Sequence, residues 1–421
     1  MPSKGLPLLL PQKRRLPLWL LVATSLFAVA WGGNQFTPLL VMYQDLDDLS
    51  TGAVDVLLGA YVLGIVPALL VGGPLSDRWG RRPLMIPGPV FALIASVLLA
   101  VGAASPTVLF IGRVFSGLGL GLGMVVGGSW IKELSMAPYD PSADDAAGAR
   151  RASMSLTAGF ALGAAVAAGL AQFGPWQAAT PYVVHMIVAL VGLAAALMAP
   201  ETHSRQAEPA RLVDDLRIPT AKHRRFLWVV VPMAPWVFGC AGSAYAVLPG
   251  VVSARTQGLD IGFSGLLCLV GLGCGFILQQ LGKRFDDVRS ARAVVVALAC
   301  TVPAMVCAAW ASYTLNPWLA VLAAAMLGSS YGLLLVSGLQ EVQRIASPKD
   351  LAGLTAVYYS LTYLGFFIPA ALAVLNSWMT YQVMFVGGGA VALLCLALVA
   401  SFYRKHLPNA GPANGAEAAR A

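Results

Sequence analysis

Charge is what this chain has least of. Asp, Glu, Lys and Arg make up 11% of its 421 residues and hydrophobic residues 58%, whereas soluble domains carry about 25% charged residues. That composition excludes an ordinary soluble protein and puts the chain in lipid. Cysteine offers no framework either. Cys240, Cys268, Cys274, Cys300, Cys307 and Cys395 all fall in apolar segments of the second half without CxxC or CxxH spacing, so neither a zinc site nor a disulfide scaffold is indicated; they read as small packing residues. No G-x-x-x-x-G-K-[ST] phosphate loop occurs, so ATP is not expected to drive the protein directly. The run Gly328-Ser329-Ser330-Tyr331-Gly332 fits G-x-S-x-G, but it lies inside a long apolar run, where the strand-turn-helix elbow of a hydrolase has no place. Deep acids are missing as well. Asp55 sits two or three residues inside the second apolar run and His185 four residues inside the sixth; either can titrate, and both read first as interfacial groups. Without paired intramembrane acids, a metal motif or a sizeable soluble domain, a membrane-embedded enzyme or a non-transporting receptor has little support.

What is present is a series of long apolar runs. A helix needs roughly 20 apolar residues to cross a bilayer, and twelve stretches qualify: 17–40, 53–73, 84–104, 107–130, 152–174, 181–199, 226–248, 262–281, 293–313, 318–340, 352–375 and 379–402. Lys13-Arg14-Arg15 before the first run and Ala28-Val29-Ala30 within it fit a leader and its cleavage site. Apolar character continues through Leu39, Leu40 and Val41, so an uncleaved first helix is expected. With the N-terminus inside, 25 of the 27 Lys and Arg residues fall in inner segments; Arg255 falls outside and Arg113 within a run. That split fixes the phase of twelve spans by the excess of Lys and Arg in cytoplasmic loops. It also explains the net charge of +8 as topological rather than as a nucleic-acid surface.

Gly73-Pro74-Leu75-Ser76-Asp77-Arg78-Trp79-Gly80-Arg81-Arg82 forms a tight charged turn between the second and third runs. The pattern G-x-x-x-D-R-x-G-R-R resembles the signature of the major facilitator superfamily, found there between the second and third transmembrane helices. Leu109-x-x-x-Arg113-x-x-x-Gly117-x-Gly119 resembles the fourth-helix motif of the same superfamily, whose arginine is linked to proton coupling. The resemblance covers the whole chain, is strongest over residues 17–135, and leans to the bacterial efflux-permease branch. Its helix-five glycine-proline motif is not matched, since Gly159 and Gly163 are followed by Ala164 and Ala168 where proline belongs.

The resemblance implies an all-α polytopic fold of two pseudo-symmetric six-helix bundles. Trp19 to Leu40 overlays Trp228 to Pro249 without gaps, with Gly33 on Gly242 and Phe36 on Tyr245. Ser155-Leu156-Thr157 and Gly159-Phe160 echo Ser360-Leu361-Thr362 and Gly365-Phe366. The expected units are residues 1–200, a cytoplasmic linker 201–225, residues 226–403, and a disordered, Ala/Gly/Pro/Asn-rich tail 404–421. Repeats in transporters place the substrate site at their interface near mid-membrane.

At the inner rim the resemblance implies a gate of Gly73, Asp77, Arg78, Gly80, Arg81, Arg82, Glu133 and Glu341. Asp77 would meet the start of the eleventh helix, where Ser347-Pro348-Lys349-Asp350 reads as a cap, and Arg81 would pair with Glu133. The loop 282–287 is a degraded copy of the motif, and Arg284 or Arg289 would pair with Glu341. Read as a topogenic loop alone, the turn would need none of these contacts.

Arg113 lies about six residues, or roughly 9 Å, inside the fourth run. A charge at that depth faces a wet cavity or a partner, or snorkels to the surface. Asn34 and Gln35 fall at similar depth, and Tyr61, Tyr245 and Asp55 are further cavity or coupling candidates. Few fixed charges favour neutral or lipophilic solutes; Arg113 leaves room for an anion. The expected protein is a monomeric secondary transporter in the cytoplasmic membrane with both termini inside. It would need no cofactor beyond a proton gradient and would move a small organic solute outward, with uptake of a sugar or organic acid as the alternative.

Overall fold

In lipid every backbone polar group must be satisfied within the segment, so apolar runs of this length fold as helices. The computed structural model describes residues 16–46, 51–144, 147–203, 218–287, 289–347 and 350–405. The helices of the first bundle are α1 (Leu18–Asn34), α2 (Thr51–Trp79), α3 (Arg81–Val101), α4 (Pro106–Leu134), α5 (Ala147–Phe173) and α6 (Thr180–Met198). Those of the second are α7 (Phe226–Arg255), α8 (Asp260–Leu281), α9 (Arg292–Thr314), α10 (Pro317–Ile345), α11 (Leu351–Leu375) and α12 (Tyr381–Phe402). Eleven of these are long and apolar enough to cross a membrane by length and composition. The twelfth, α1, is interrupted at Gln35–Phe36 and continues as a 3-10 turn, Thr37–Leu39, and a short helix, Leu40–Leu46.

Several helices outrun the apolar segments that predict them. α5 starts at Ala147 rather than 152, and α10 ends at Ile345 rather than 340. The extra turns carry Arg150, Glu341 and Arg344, charged residues that end the apolar runs while the backbone stays helical. Starts follow local chemistry: proline opens α4 and α10, where its missing N–H costs nothing. Asn316 caps α10 by accepting from the Trp318 and Leu319 N–H groups at 2.9 and 3.4 Å. At the predicted cap of α11, Pro348 and Lys349 lie outside the described residues, as does the tail from His406. The Ser347 hydroxyl accepts from the Asp350 N–H at 3.3 Å, and the helix begins at Leu351.

The two bundles pack alike. α2 packs on α4 as α8 does on α10, α1 on α5 as α7 on α11, and α3 on α6 as α9 on α12. Between bundles the contacts are α5 on α8 and α2 on α11, which the same exchange of halves interconverts. Glycine sets the closest approaches. A Cβ at Gly117 would lie 2.0 Å from the Tyr61 carbonyl oxygen, and one at Gly332 would lie 2.0 Å from that of Gly275. Small residues let membrane helices approach until backbones touch. The G-x-S-x-G match is therefore a packing seam: Gly328 and Gly332 both face α8 backbone.

Candidate functional site: a mid-depth cavity between a basic rim and a charge-poor rim

The chain alternates between a rim rich in Lys and Arg and a charge-poor rim. Between them, at mid-depth, lies a narrow cavity of about 20 Å³, room for a single water-sized sphere. Asn34, Tyr61, Arg113 and Phe160 line it from the first bundle, and Phe238, Tyr245, Tyr331, Tyr363 and Phe366 from the second. The rings form one continuous wall. Phe238 stacks on Tyr363 and on Phe366 with centroids 4.3 and 4.7 Å apart, and Tyr61 meets Tyr363 edge-on at 6.0 Å across the bundle boundary.

Arg113 is the charge in this wall. It is 1% exposed, its Nε donates to the Leu57 carbonyl at 3.2 Å, and its guanidinium carbon lies over the rings of Phe36 and Tyr61, 4.6 and 4.7 Å from their centroids. Its Nη1 has no partner. The side chain does not snorkel. Asn34 is fixed beside it, donating to the Phe160 carbonyl at 3.1 Å and accepting from the Thr37 hydroxyl at 3.0 Å. Of the cavity candidates, Asn34, Arg113, Tyr61 and Tyr245 converge here. Gln35 turns away, donating to Ser96 at 3.2 Å. Asp55 lies in α2, and its side chain is outside the described residues. The sequence reading did not single out Phe160, Phe238, Tyr363 and Phe366. Phe160 and Phe366 carried a usable signal, because both end the echoed segments of the two halves.

His185, which reads from sequence as an interfacial group, is instead fully buried. Its Nε2 donates to the Ala28 carbonyl at 2.9 Å, and its Nδ1 accepts from the Ser96 hydroxyl at 2.6 Å. The Ser96 oxygen in turn accepts from Gln35. The burial follows from Gly32: a Cβ there would come within 2.6 Å of the imidazole, so the glycine makes room for the ring.

At the basic rim of the first bundle, the charged turn is tied to the inner ends of two other helices, α4 and α6. Arg81 Nη1 donates to Asp77 at 2.6 Å and to the Ser76 hydroxyl at 2.9 Å, while Nε and Nη2 reach Glu133 Oε1 at 3.0 and 2.8 Å. Among the described residues Asp77 pairs with Arg81, and no contact joins it to Asp350–Ala352. Gly73 stands beside Val125 of α4, and Arg82 donates to the Leu197 carbonyl at 2.5 Å. Arg78 is a partnered residue of the same turn.

Glu201, which reads as the first linker residue, belongs to this knot. Its carboxylate accepts from the N–H groups of Arg81 and Arg82 at 2.9 Å each, and of Thr202 and His203 at 3.1 Å each. It caps α3, where the positive helix end favours an anion. Gly80 makes this possible. Its φ of +103° suits glycine, and a Cβ there would meet Glu201 Oε2 at 2.7 Å. Burial works to raise the Glu201 carboxyl, but the four backbone donors outweigh it and hold it below its ordinary value. A depressed carboxyl stabilises the fold above its ordinary pKa, and that contribution fades as pH falls through the lowered value. Glu201→Ala is therefore expected to cost on the order of 1 kcal/mol at pH 7, as for a lost N-cap. Thermal unfolding of the two proteins should converge below about pH 4; an equal gap at every pH would contradict the capping role.

The second bundle ties its basic rim differently. Arg284 and Arg289, the residues expected to pair with Glu341, are exposed. Glu341 instead takes Arg225 Nε at 2.5 Å and Nη2 at 3.1 Å, and Arg344 Nη1 at 2.5 Å. Arg344 also bonds Asp286. The degraded loop lacks the second glycine that turns Arg81 inward, so the cation comes from the start of α7 and from the last turn of α10. At the charge-poor rim Gln172 joins the bundles, donating to the Gly258 carbonyl at 3.0 Å and accepting from the Gly262 N–H at 2.9 Å. Below it a Cβ on Gly265 would lie 2.3 Å from Ala168, so α5 and α8 are closed on each other there.

Residues 18–370 match the family model of the Major Facilitator Superfamily. The chain belongs to that superfamily. It is an integral membrane transporter, not an enzyme. It is 40% identical over 85 residues to multidrug resistance protein D of Escherichia coli K12, covering 20% of this chain and 21% of that one. It is 32% identical over 101 residues to inositol transporter 4 of Arabidopsis thaliana, covering 24% and 17%. It is 36% identical over 77 residues to multidrug resistance protein MdtL of Shigella flexneri, covering 18% and 19%. These alignments span about a fifth of each curated relative. Among solved structures, a POT family transporter in complex with 5-aminolevulinic acid superposes with a TM-score of 0.75 at 15% identity, covering 92% of this chain and 96% of that one. A D-xylose–proton symporter gives 0.70 at 16%, covering 93% and 98%. At these identities the superpositions speak for the fold of the transporter alone.

Proposed function

We propose that this transporter moves a small organic solute across the cytoplasmic membrane by alternating access, with proton-linked export as its direction. The observation that carries this is the cavity itself: both bundles line it, a buried arginine stands in its wall, and bundle contacts close it toward the charge-poor rim. The basic rim is the cytoplasmic one, with both chain ends there and residues 201–225 joining units 1–200 and 226–403. The protein works as a monomer. The turn 73–82 with Glu133, and Glu341 with its arginines, hold each bundle rigid at that rim as it rocks. The match to multidrug resistance proteins supports export. The match to an inositol transporter supports the second reading, proton-coupled uptake of a sugar or organic acid.

His185 is the proton carrier in this scheme. As hydrogen-bonded it is neutral, since Nε2 donates and Nδ1 accepts. A second proton on Nδ1 would turn the Ser96 hydroxyl toward Gln35, whose Oε1 has no partner. Gln35 adjoins Phe36, which covers Arg113. The groups facing the imidazole are Ala28 and Gly32 from α1 and Ser96 from α3, none of them charged. In proteoliposomes with an imposed pH gradient and a panel of labelled compounds, the transporter should accumulate at least one solute against its gradient. His185→Asn should keep downhill exchange and lose gradient-driven accumulation; undiminished accumulation would remove His185 from coupling.

A further inference from the structure

A guanidinium in lipid-buried surroundings is costly unless an opposite charge or a full set of acceptors meets it. Arg113 has neither among the described residues. Its Nε bonds one carbonyl, its guanidinium carbon lies over two rings, its Nη1 is buried without a partner, and the residue lines the cavity. Where rings lie over a guanidinium, its N–H edge is what remains for a partner. An edge is what a carboxylate or sulfonate meets with two parallel N–H···O bonds.

The rest of the cavity is suited to a flat apolar body. Phe238, Tyr331, Tyr363 and Phe366 present ring surface on the side of the second bundle, and the free space between the walls is about 20 Å³ with the bundles as close as they are here, so the bundles must part to admit a solute. A cation there would stand near Arg113. At about 6 Å and an effective dielectric constant near 20, the repulsion amounts to roughly a hundredfold in affinity.

Resting on the transport reading above, we infer that the solute is a small organic anion, one carboxylate or sulfonate joined to a single aromatic ring. The acid group seats on the Nη1 edge of Arg113, and the ring lies against the aromatic wall of the second bundle. Because the acid group sits on α4 and the ring on α7, α10 and α11, one bound molecule draws on both bundles.

The test is a charge series of one shape. Binding of benzoate, benzamide and benzylammonium to the purified full-length transporter at pH 7.5 is measured by titration calorimetry, alongside flux of labelled benzenesulfonate, which carries its charge permanently, into proteoliposomes. Benzoate should bind at least tenfold more tightly than benzamide, and benzamide about a hundredfold more tightly than benzylammonium. Arg113→Gln should erase that order, and Arg113→Lys should keep the preference for the anion at reduced affinity. Benzamide or benzylammonium binding the unaltered transporter as well as benzoate does would overturn the inference without any variant having to fold. Saturable flux of benzamide or benzylammonium but not of benzenesulfonate would leave transport standing and remove the anion. Arg113-dependent binding of benzoate without flux of any solute would leave the anion site standing and remove transport.

Discussion

Glu341→Ala should be the most damaging charge substitution in the protein. Glu341 and Arg225 are 2% and 0% exposed at their side chains, and Arg344 shares the carboxylate. Removing the carboxylate leaves a buried guanidinium without its counter-charge, which costs about 3–5 kcal/mol where such pairs have been broken. The Tm should fall by on the order of 10 °C, and the folded peak in fluorescence-detected size exclusion should shrink to match. Arg150 and Asp144 provide the contrast. That pair is 52% and 63% exposed, and Arg150→Ala should cost under about 1 kcal/mol. Equal losses in the two variants would mean that the Glu341 cluster is not buried as described.

Gly332→Val should be worse for folding than any charge substitution outside that cluster. The first added carbon would lie 2.0 Å from a carbonyl oxygen of α8, and Gly328 has the same relation to the Gly271 carbonyl. The obstacle is backbone, which cannot rotate away as a side chain can, so α8 and α10 must separate along their seam. Overpacking of cores costs about 1–3 kcal/mol when side chains can adjust, and here they cannot. Gly117→Val should do the same to the α2–α4 seam. Gly169, Gly273 and Gly387 have open space where a Cβ would go. Alanine at those positions should be neutral or should add up to about 1 kcal/mol through better helix propensity. Thermal stability of the five purified variants measures both halves of this prediction.

The topology and the place of Arg113 were legible before any coordinates because each has a local signature. Lys and Arg mark one rim, a charged turn lies between two apolar runs, and a lone arginine sits well inside a third. Contacts between distant segments were not legible. Glu201 caps α3 from 119 residues further along, as counted to Arg82, and nothing in its neighbourhood distinguishes it from the first residue of a polar linker. The second-bundle knot was misassigned because the degraded loop still carries arginines at plausible spacing, whereas the cation that reaches Glu341 comes from Arg225 across 116 residues. His185 looked interfacial because its depth along α6 is shallow. Its burial comes from the Gly32 notch in α1 and the hydroxyl of Ser96 in α3, which no reading of α6 alone contains. The aromatic wall lay between these extremes: Tyr61 and Tyr245 were expected at the cavity, but aromatic residues are common in membrane helices, and the echo of Gly159-Phe160 in Gly365-Phe366 was the only signal for Phe160 and Phe366.

Alternating access predicts opposite movements at the two rims, and pulsed electron-spin distance measurements on the transporter in lipid nanodiscs test it most directly. One spin-label pair at Phe173 and Leu259 reports the charge-poor rim, and a second at Met154 and Leu351 reports the basic rim; all four positions are exposed. Between pH 8 without solute and pH 5 with a saturating transported solute, the first distance should lengthen and the second shorten, each as a shift between two populations. Distances that stay fixed at both rims, or that change in the same sense, would contradict the account.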